Sequence, residues 1–322
     1  MSTATTNNTT SASPRGEGGG GGRGGGGTLL VRRPPPNLAS GQITHISTPA
    51  PSSISHTLAL AQWQAYISLF ATATPPWQII EVPPAPTCAD SVFVEDILVS
   101  LPRGTILVTS PGAESRRPEL DGIEEFLRAH LGGDVKRVVR IEGEARLDGG
   151  DLLKVGRTVY VGRSSRTNDL GRAQLRALLK ELDMDLVEVP VTKALHLKSA
   201  VTALPDGTVI GYEPIVDDPS IFPSFLAVPE VSRVQSSPVQ SRLLPSRQAL
   251  THSLPPPPRR RTGQEHGVAV VVLSPSHLVM SSDAPRTTQI LRQRGYRVET
   301  VDISQFEALE GCVTCLSVRI RT

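Results

Sequence analysis

The chain has 322 residues, a formal net charge of +2, and 28 glycines and 28 prolines that are unevenly spread. This length allows one large domain or two ordinary ones. Because no run of about 18 apolar residues occurs in the sequence, we expect no membrane-spanning segment and no membrane partner.

Two stretches have the composition of unstructured polypeptide. Residues 1–28 contain ten glycines and no large apolar residue except Met1, so they cannot bury enough surface to offset the entropy of ordering. Residues 231–262 are rich in Ser, Pro and Gln and carry six arginines without an acid. We predict a disordered tail over 1–28 and a single folded domain over 29–322, interrupted by a disordered insertion over 231–262. The tail matches neither a secretory signal nor a transit peptide.

These two stretches carry more positive charge than the whole chain, so the remainder is net acidic. A nucleic-acid interface needs basic side chains on a folded face or stacking aromatic residues between them, and residues 231–262 contain no Phe, Tyr or Trp. We therefore expect no nucleic-acid partner. The three cysteines form no disulfide framework and suit a reducing compartment, which predicts a cytoplasmic protein.

From Thr28 onward, short apolar runs alternate with turn signals and with longer amphipathic stretches. The short runs predict strands, and the amphipathic stretches predict helices. In chain order, the predicted elements are strand 29–31, helix 53–70, strands 77–82, 92–99 and 106–109, helix 118–131, strands 138–141, 152–155 and 159–162, helix 169–182, strand 186–191, hairpin 199–204 and 209–212, strands 225–228, 268–273 and 278–281, helix 285–294, and strands 298–302 and 313–320.

The order strand, strand, helix, strand recurs along the chain. Modules of this kind start near residues 92, 150, 199, 268 and 313, and in the third a Pro-rich connector stands in place of the helix. The fifth module is complete only when strand 313–320 joins the elements at the start of the domain. Repeats of this length are typical of propellers, and closing the ring removes an exposed sheet edge. We predict an α/β propeller of five modules, with its chemistry where the modules converge.

Charged side chains stand at corresponding ends of several predicted strands. Singly, each group has an ordinary interpretation: solvated acids at a strand end, a tight turn, a core histidine, or caps at helix starts. Together they bring acids, a histidine and arginines to the edges of several modules. Carboxylates inside apolar strands are costly unless they meet a cation, and a cationic substrate would meet that need. The residues are Asp90, Glu95, Asp96, Arg116, Arg117, Asp148, Asp151, Arg166, His196 and Lys198.

A C-x-x-C pair, Cys312 and Cys315, begins the last predicted strand. Our hypothesis is that Cys315 is a nucleophile; the alternative is a small buried apolar residue. A structural zinc site would need a second pair of ligands at matching spacing, and the sequence has none. A thioredoxin-like motif would open a helix, whereas this pair enters a strand.

Six strings along the chain resemble those of the dimethylarginine dimethylaminohydrolase family, which belongs to the guanidine-modifying superfamily related to arginine deiminase. The resemblance runs from about Leu29 to Thr322 apart from the insertion, with the strings in family order. It implies a five-bladed α/β propeller, the pentein fold, in agreement with the repeat. The strings are 90–96 (DSVFVED), 111–117 (PGAESRR), 147–151 (LDGGD), 166–168 (RTN), 195–199 (LHLKS) and 310–315 (EGCVTC).

The resemblance also implies a role for each site residue. Cys315 is the expected nucleophile, His196 the proton donor that later activates water, and Asp148 the group that orients the histidine. The remaining residues are expected to bind substrate: Glu95 and Asp96 the guanidinium, Asp90 the ammonium group, Arg116 and Arg166 the α-carboxylate, and backbone carbonyls near Ile43 and Leu309 the rest of the pocket.

The implied reaction is hydrolysis of Nω,Nω-dimethyl-L-arginine, or the monomethyl form, to L-citrulline and an amine through a covalent thiouronium. The implied partner is this small-molecule substrate; no metal or organic cofactor is expected, and the protein would be a monomer or homodimer. Arginine deiminase and agmatine deiminase remain alternatives, although carboxylate-binding arginines speak against agmatine. A non-catalytic relative and an Arg/Gly-rich RNA-binding protein are alternatives from other classes.

Overall fold

The structure is a computed structural model that describes residues 26–44, 54–229 and 268–321. The predicted insertion over 231–262 and most of the predicted tail lie outside the described residues. The last two residues of the predicted tail, Gly27 and Thr28, belong to the first strand, so the fold begins slightly earlier than predicted.

The described residues form fifteen strands and six α-helices. The elements are β1 (Gly27–Val31), α1 (His56–Ala71), β2 (Trp77–Glu81), β3 (Leu98–Leu101), β4 (Thr105–Val108), α2 (Ile123–His130), β5 (Arg137–Arg140), β6 (Leu152–Val155), β7 (Thr158–Arg163), α3 (Asp169–Glu181), β8 (Asp185–Pro190), α4 (Leu197–Ala200), β9 (Val201–Ala203), β10 (Val209–Gly211), β11 (Phe225–Ala227), β12 (Val271–Ser274), β13 (His277–Ser281), α5 (Pro285–Gln293), β14 (Arg297–Val301), α6 (Ser304–Glu307) and β15 (Val318–Ile320).

The strands pair into five sheets of three, and each sheet is one module. In every module the first two strands are antiparallel and the last two are parallel. The fifth sheet has the order β15-β1-β2, in which Thr28 pairs with Ile320. The predicted five modules, and their closure by the two ends of the domain, are confirmed. The Pro-rich connector between β10 and β11 contains two short 3-10 turns.

Five apolar cores lie between neighbouring modules. Each middle strand is buried on both faces, because successive side chains of a strand point to opposite sides. In β4, Ile106 and Val108 enter the core shared with the fifth module, whereas Leu107 enters the core shared with the second. In β1, Leu30 likewise faces a different core from Leu29. Each core therefore contains side chains from two neighbouring modules, and these shared cores hold the ring together.

Several predicted boundaries are wrong: β9 starts at Val201 because α4 covers residue 199, and β12 starts at Val271. Three more lie in segments next to the site or in the first module. Residues 94–96 form a 3-10 turn, so strand β3 starts at Leu98 and not at Val92. Residues 313–316 form a turn, so Cys315 precedes β15 and does not lie in it. A 3-10 segment, Glu114–Leu120, occupies the first part of predicted helix 118–131, and α2 begins only at Ile123.

Helix α1 fixes the turn that contains Cys315. The hydroxyl of Tyr66, which is fully buried, donates to the carbonyl of Val313 at 2.9 Å and lies 2.7 Å from the Ser317 hydroxyl. Both partners are about 250 residues away along the chain, so no local pattern predicts these bonds. One buried phenol thus connects the helix to the C-terminal segment.

Replacing Tyr66 with Phe should lower the free energy of unfolding by about 1–3 kcal/mol, because a buried acceptor loses its partner while the ring still packs. Urea unfolding measures the change. Tyr160→Phe is the matched control, since its hydroxyl has no hydrogen bond to another described residue. Equal stabilities for the two variants would contradict this role of Tyr66.

Candidate active site

Segments from several modules meet at one edge of the sheets. In an antiparallel pair, the residue before the first strand lies beside the residue after the second, as Leu98 pairs with Val108. The segments before β3, β6, β9 and β15 therefore meet the segments after β4 and β7. A small cavity lies there, and seven of the ten predicted site residues line it: Asp90, Asp96, Arg116, Arg166, His196, Leu309 and Cys315.

Cys315 lies in a turn that its backbone N–H closes by donating to the carbonyl of Cys312 at 3.1 Å. The two sulfur atoms are 3.2 Å apart. The hydrogen bond with Cys312, burial, and the carboxylates of Glu95 and Asp96 raise the pKa of the Cys315 thiol. Without a cation in the cavity, Cys315 is therefore held as a thiol.

His196 is a buried, protonated imidazole. Its Nε2 lies 2.9 Å from Oδ2 of Asp148, and its Nδ1 lies 3.9 Å from Oδ1 of Asp96. Burial alone would lower the pKa of His196, but Asp96 and the hydrogen bond with Asp148 outweigh burial and raise this pKa to about 9. At neutral pH the ring carries a proton that it can donate.

The string Asp148-Gly-Gly-Asp151 positions this histidine. The N–H of Gly112 donates to Oδ1 of Asp148 at 2.7 Å, which leaves Oδ2 for His196. A Cβ at Gly150 would lie 2.8 Å from the imidazole ring, so glycine is required for this close approach. Asp151 accepts the N–H of Leu197 at 3.0 Å and thereby fixes the backbone that follows His196. Asp148 itself lies behind the histidine, outside the cavity lining.

Arg116 is buried among protein acceptors. Its Nε and Nη2 donate to the two carboxylate oxygens of Glu119 at 2.7 and 2.9 Å, and Nη2 also donates to the carbonyl of Phe93 at 3.0 Å. Its Nη1 donates to Asp96 in a close ion pair. Arg166, by contrast, is half-buried and donates through Nη2 to the side-chain carbonyl of Gln42 at 3.1 Å.

Besides Asp148, two more predicted site residues do not reach the cavity. The Glu95 side chain points away from Asp96 and pairs with Lys198, with Oε1 and Nζ 2.6 Å apart, in a second and larger cavity. Glu95 and Asp96 are successive residues of a 3-10 turn, in which neighbouring side chains point about 120° apart, so the two acids face different cavities. Ile43 packs against the apolar core, and its neighbour Gln42 lines the cavity instead.

Comparisons with known proteins agree with this geometry. The chain is 47% identical over 284 residues to N(G),N(G)-dimethylarginine dimethylaminohydrolase of Streptomyces coelicolor, covering 88% of this chain and 93% of that protein. It belongs to the dimethylarginine dimethylaminohydrolase family. The protein of the same name from Pseudomonas aeruginosa is 31% identical over 81% of this chain and 88% of its own length.

Solved structures show the same fold. A mutant of the Pseudomonas aeruginosa dimethylarginine dimethylaminohydrolase complexed with citrulline has a TM-score of 0.71 and 27% identity, covering 91% of this chain and 98% of that one. The N-terminal domain of ArgZ, covalently bound to a reaction intermediate, has a TM-score of 0.68 over 91% of this chain and 97% of that one, but only 16% identity, and shows the fold alone. Residues 42–213 also match a family model described as RNA-editing substrate-binding complex 5 protein.

The structure places two further residues at the site that the sequence analysis did not single out. The N–H of Gln42 donates to Asp90 at 3.1 Å, and its side chain donates to Ser115 and accepts from Arg166. Glu119 is the buried counter-ion of Arg116. A single glutamine in a loop belongs to no sequence pattern that could have marked it as a site residue. The spacing of Glu119, three residues after Arg116, was the available signal for an ion pair.

Asp96, Asp148 and His196 are close enough to hold a metal ion, since one ligand atom from each lies within 4.8 Å of the others. Their donor atoms, however, already serve other groups: Asp96 binds Arg116, and Asp148 binds His196 and Gly112. Although burial opposes ionisation of Asp96, His196 and Arg116 lower its pKa. The donor set fits an acid–base group with its own internal cations better than it fits a metal.

Among the described residues, no helix is both long and apolar enough to cross a membrane.

Replacing Cys312 with Ala should lower the pKa of Cys315, because the hydrogen bond that raises this pKa is removed. Alkylation of Cys315 by iodoacetamide, followed by peptide mass spectrometry across pH, should then begin at lower pH than in the wild type. Cys88→Ala is the control, since Cys88 lies outside the cavity. An unchanged alkylation profile for Cys312→Ala would contradict the coupling between the two sulfur atoms.

Proposed function

We propose that the protein hydrolyses Nω,Nω-dimethyl-L-arginine to L-citrulline and dimethylamine, and the monomethyl substrate to L-citrulline and methylamine, through a covalent intermediate on Cys315. The observation that carries the proposal is the placement of the Cys315 thiol in one cavity with His196, whose imidazole is held by Asp148. Membership of the dimethylarginine dimethylaminohydrolase family supports the same reaction.

Substrate binding follows from the charges in the cavity. Asp96 faces the guanidinium, and Asp90 faces the ammonium group, with the Leu309 carbonyl nearby. Arg166 binds the α-carboxylate once Gln42 releases it, since Gln42 is its acceptor in the free protein. Arg116 contributes to this pocket mainly by fixing Asp96, because Asp96, Glu119 and backbone carbonyls already engage its guanidinium.

The cationic substrate also prepares the nucleophile. Nearby carboxylates raise the pKa of Cys315, and a bound guanidinium offsets their charge. The thiol then loses its proton more readily, and the thiolate lies beside a planar cation held against Asp96. Holding the two reactants together turns attack on a poor electrophile into an intramolecular step.

Two steps complete the reaction. The Cys315 thiolate forms a C–S bond to the guanidinium carbon, the C–N bond to dimethylamine breaks, and His196 gives its proton to the departing nitrogen. The neutral imidazole then takes a proton from water, which attacks the thiouronium carbon. The C–S bond breaks, the thiolate leaves, and citrulline is released. The net change consumes one water molecule for each substrate.

We infer a cytoplasmic location, because the adjacent thiols of Cys312 and Cys315 need a reducing compartment to stay free. For the oligomeric state we keep the monomer or homodimer expected from the sequence. The methylated amine identifies the reaction: dimethylamine release supports the proposal, whereas ammonia release from arginine would indicate a deiminase.

Replacing Cys315 with Ser should lower citrulline formation by at least about 10³-fold, because an alcohol is a far weaker nucleophile at neutral pH. Quenched reactions of the wild type should give a peptide containing Cys315 with the added mass of the thiouronium. Cys88→Ser, with its sulfur outside the cavity, should keep its activity. Citrulline formation that survives in Cys315→Ser would overturn the nucleophile assignment.

Replacing Asp148 with Asn should move the alkaline limb of the pH–rate profile to lower pH by about one to two units. The limb reports loss of the His196 proton, whose pKa of about 9 depends partly on Asp148. Activity is therefore retained below this pKa and lost as pH rises through it, and a lower pKa brings the loss earlier. The profile of kcat/KM measures the shift. Asp121→Asn, at an exposed position, should leave the limb in place.

A further inference from the structure

A second cavity, larger than the catalytic one, lies where the innermost strands of the five sheets meet. Each of β3, β6, β9, β12 and β15 is the edge strand of its sheet, and each contributes to the lining. The lining includes Ser100, Lys154, Thr202, Val272 and Arg319, one from each of these strands. The cavity, called the axial channel below, has a volume of about 470 Å³.

The axial channel is strongly cationic. Lys154, Lys198, Arg319 and Arg321 line it, and Glu95 is the only carboxylate among the described lining residues. Glu95 pairs with Lys198 at 2.6 Å and lies 3.9 Å from Arg319, so one carboxylate serves two cations. With Lys154 protonated, the four cations and one carboxylate leave a charge of about +3 without a counter-ion among the described residues.

The other contacts of these cations are neutral. Lys154 donates to the carbonyl of Ser100, Arg321 donates to the carbonyl of Val272 at 2.6 Å, and Arg319 donates to the Ser317 hydroxyl at 3.4 Å. Such dipoles orient the side chains without balancing their charge. Among the described residues, Lys154 and Arg321 therefore have no carboxylate partner, and Arg319 shares Glu95 with Lys198.

The cations also repel one another. Lys154 is an exposed side chain of the channel lining, and Lys198 and Arg319 lie close enough to act on its charge. Burial, Lys198 and Arg319 together lower the pKa of Lys154 to about 7. An anion between these side chains would remove the repulsion and restore the lysine charge.

We propose that the axial channel binds a small multivalent oxyanion of the phosphate or sulfate type, held by Lys154, Arg319 and Arg321. Arginine matches tetrahedral oxyanions with paired N–H groups, and lysine adds a point charge. The enclosed volume admits a single phosphate group or a small phosphate monoester.

This site is distinct from the catalytic cavity, although the two share a wall. Neighbouring residues face opposite sides of that wall: Glu95 faces the channel, while Asp96 faces the catalytic cavity. Thr314 and Cys315 divide in the same way. The proposal therefore does not depend on the proposed reaction, and binding can be measured in the inactive Cys315→Ser variant.

Sulfate is the sharpest probe, because it stays doubly charged between pH 6 and 8 while Lys154 titrates. Calorimetric titration of the whole protein, with ionic strength held constant by sodium chloride, should show saturable binding of one sulfate. Affinity should rise as pH falls through about 7, since the protonated lysine binds the anion. A parallel titration with a phosphate monoester at fixed pH tests whether the site prefers a free ion or a phosphorylated metabolite. Saturable binding of either ligand supports an oxyanion site in the axial channel.

Two variants locate the site. Lys154→Met should weaken sulfate binding at least tenfold at pH 6 and remove its pH dependence, and Arg321→Met should weaken binding while keeping that dependence. Lys180→Met, on the exposed face of α3, is the matched control and should bind as the wild type does. Circular dichroism checks that the variants are folded. Absence of saturable binding to the wild type, or equal binding by Lys154→Met, would overturn the proposal.

Discussion

Burial of the five middle strands on both faces is the constraint on which the rest of the structure depends. Because the side chains of β4 enter two different cores, the first module cannot complete its packing alone, and the same holds for β1 in the fifth. The ring must close for every core to be filled. Closure pairs Thr28 with Ile320, and this pairing holds the last segment of the chain beside residues that lie more than 100 positions earlier.

Closure of the ring brings several acids together in the interior. The free-energy cost of burying their charges is offset by cationic side chains of the same protein. Asp90, Asp96, Asp148 and Glu119 are all less than a tenth exposed. Arg116 and His196 supply most of the compensating charge, because Arg116 binds Asp96 and Glu119 while His196 binds Asp148. Removing one partner from such a group leaves an uncompensated buried charge, which costs more than the pair contributes. The buried acids are therefore held by internal partners, whereas the side chains of Gln42 and Arg166 at the cavity are joined by a single, exposed hydrogen bond.

Much of the fold was predictable from the sequence, because apolar alternation and turn residues act locally. The helix over 169–182 and the hairpin at Pro205, Asp206 and Gly207 have clear signals of this kind. The turns at 94–96 and 313–316 have no such signals, because both lie in apolar runs that predict strands. Contacts distant in sequence form them: Tyr66 holds Val313, and Thr109 donates to the carbonyl of Asp96 at 2.6 Å. The motifs indicated which residues belong to the site, but not which side of the wall each one faces.

The two sides of that wall have opposite charge, and each affects the other. Successive residues of a 3-10 turn point about 120° apart, so Glu95 joins the cations of the axial channel while Asp96 joins the acids of the catalytic cavity. Lys198 in the channel acts through the wall and helps to lower the pKa of Asp96. His196 and Arg116, on the catalytic side, have the larger effect on this pKa. The acid that we propose to face the guanidinium therefore interacts with cations on both sides of the wall.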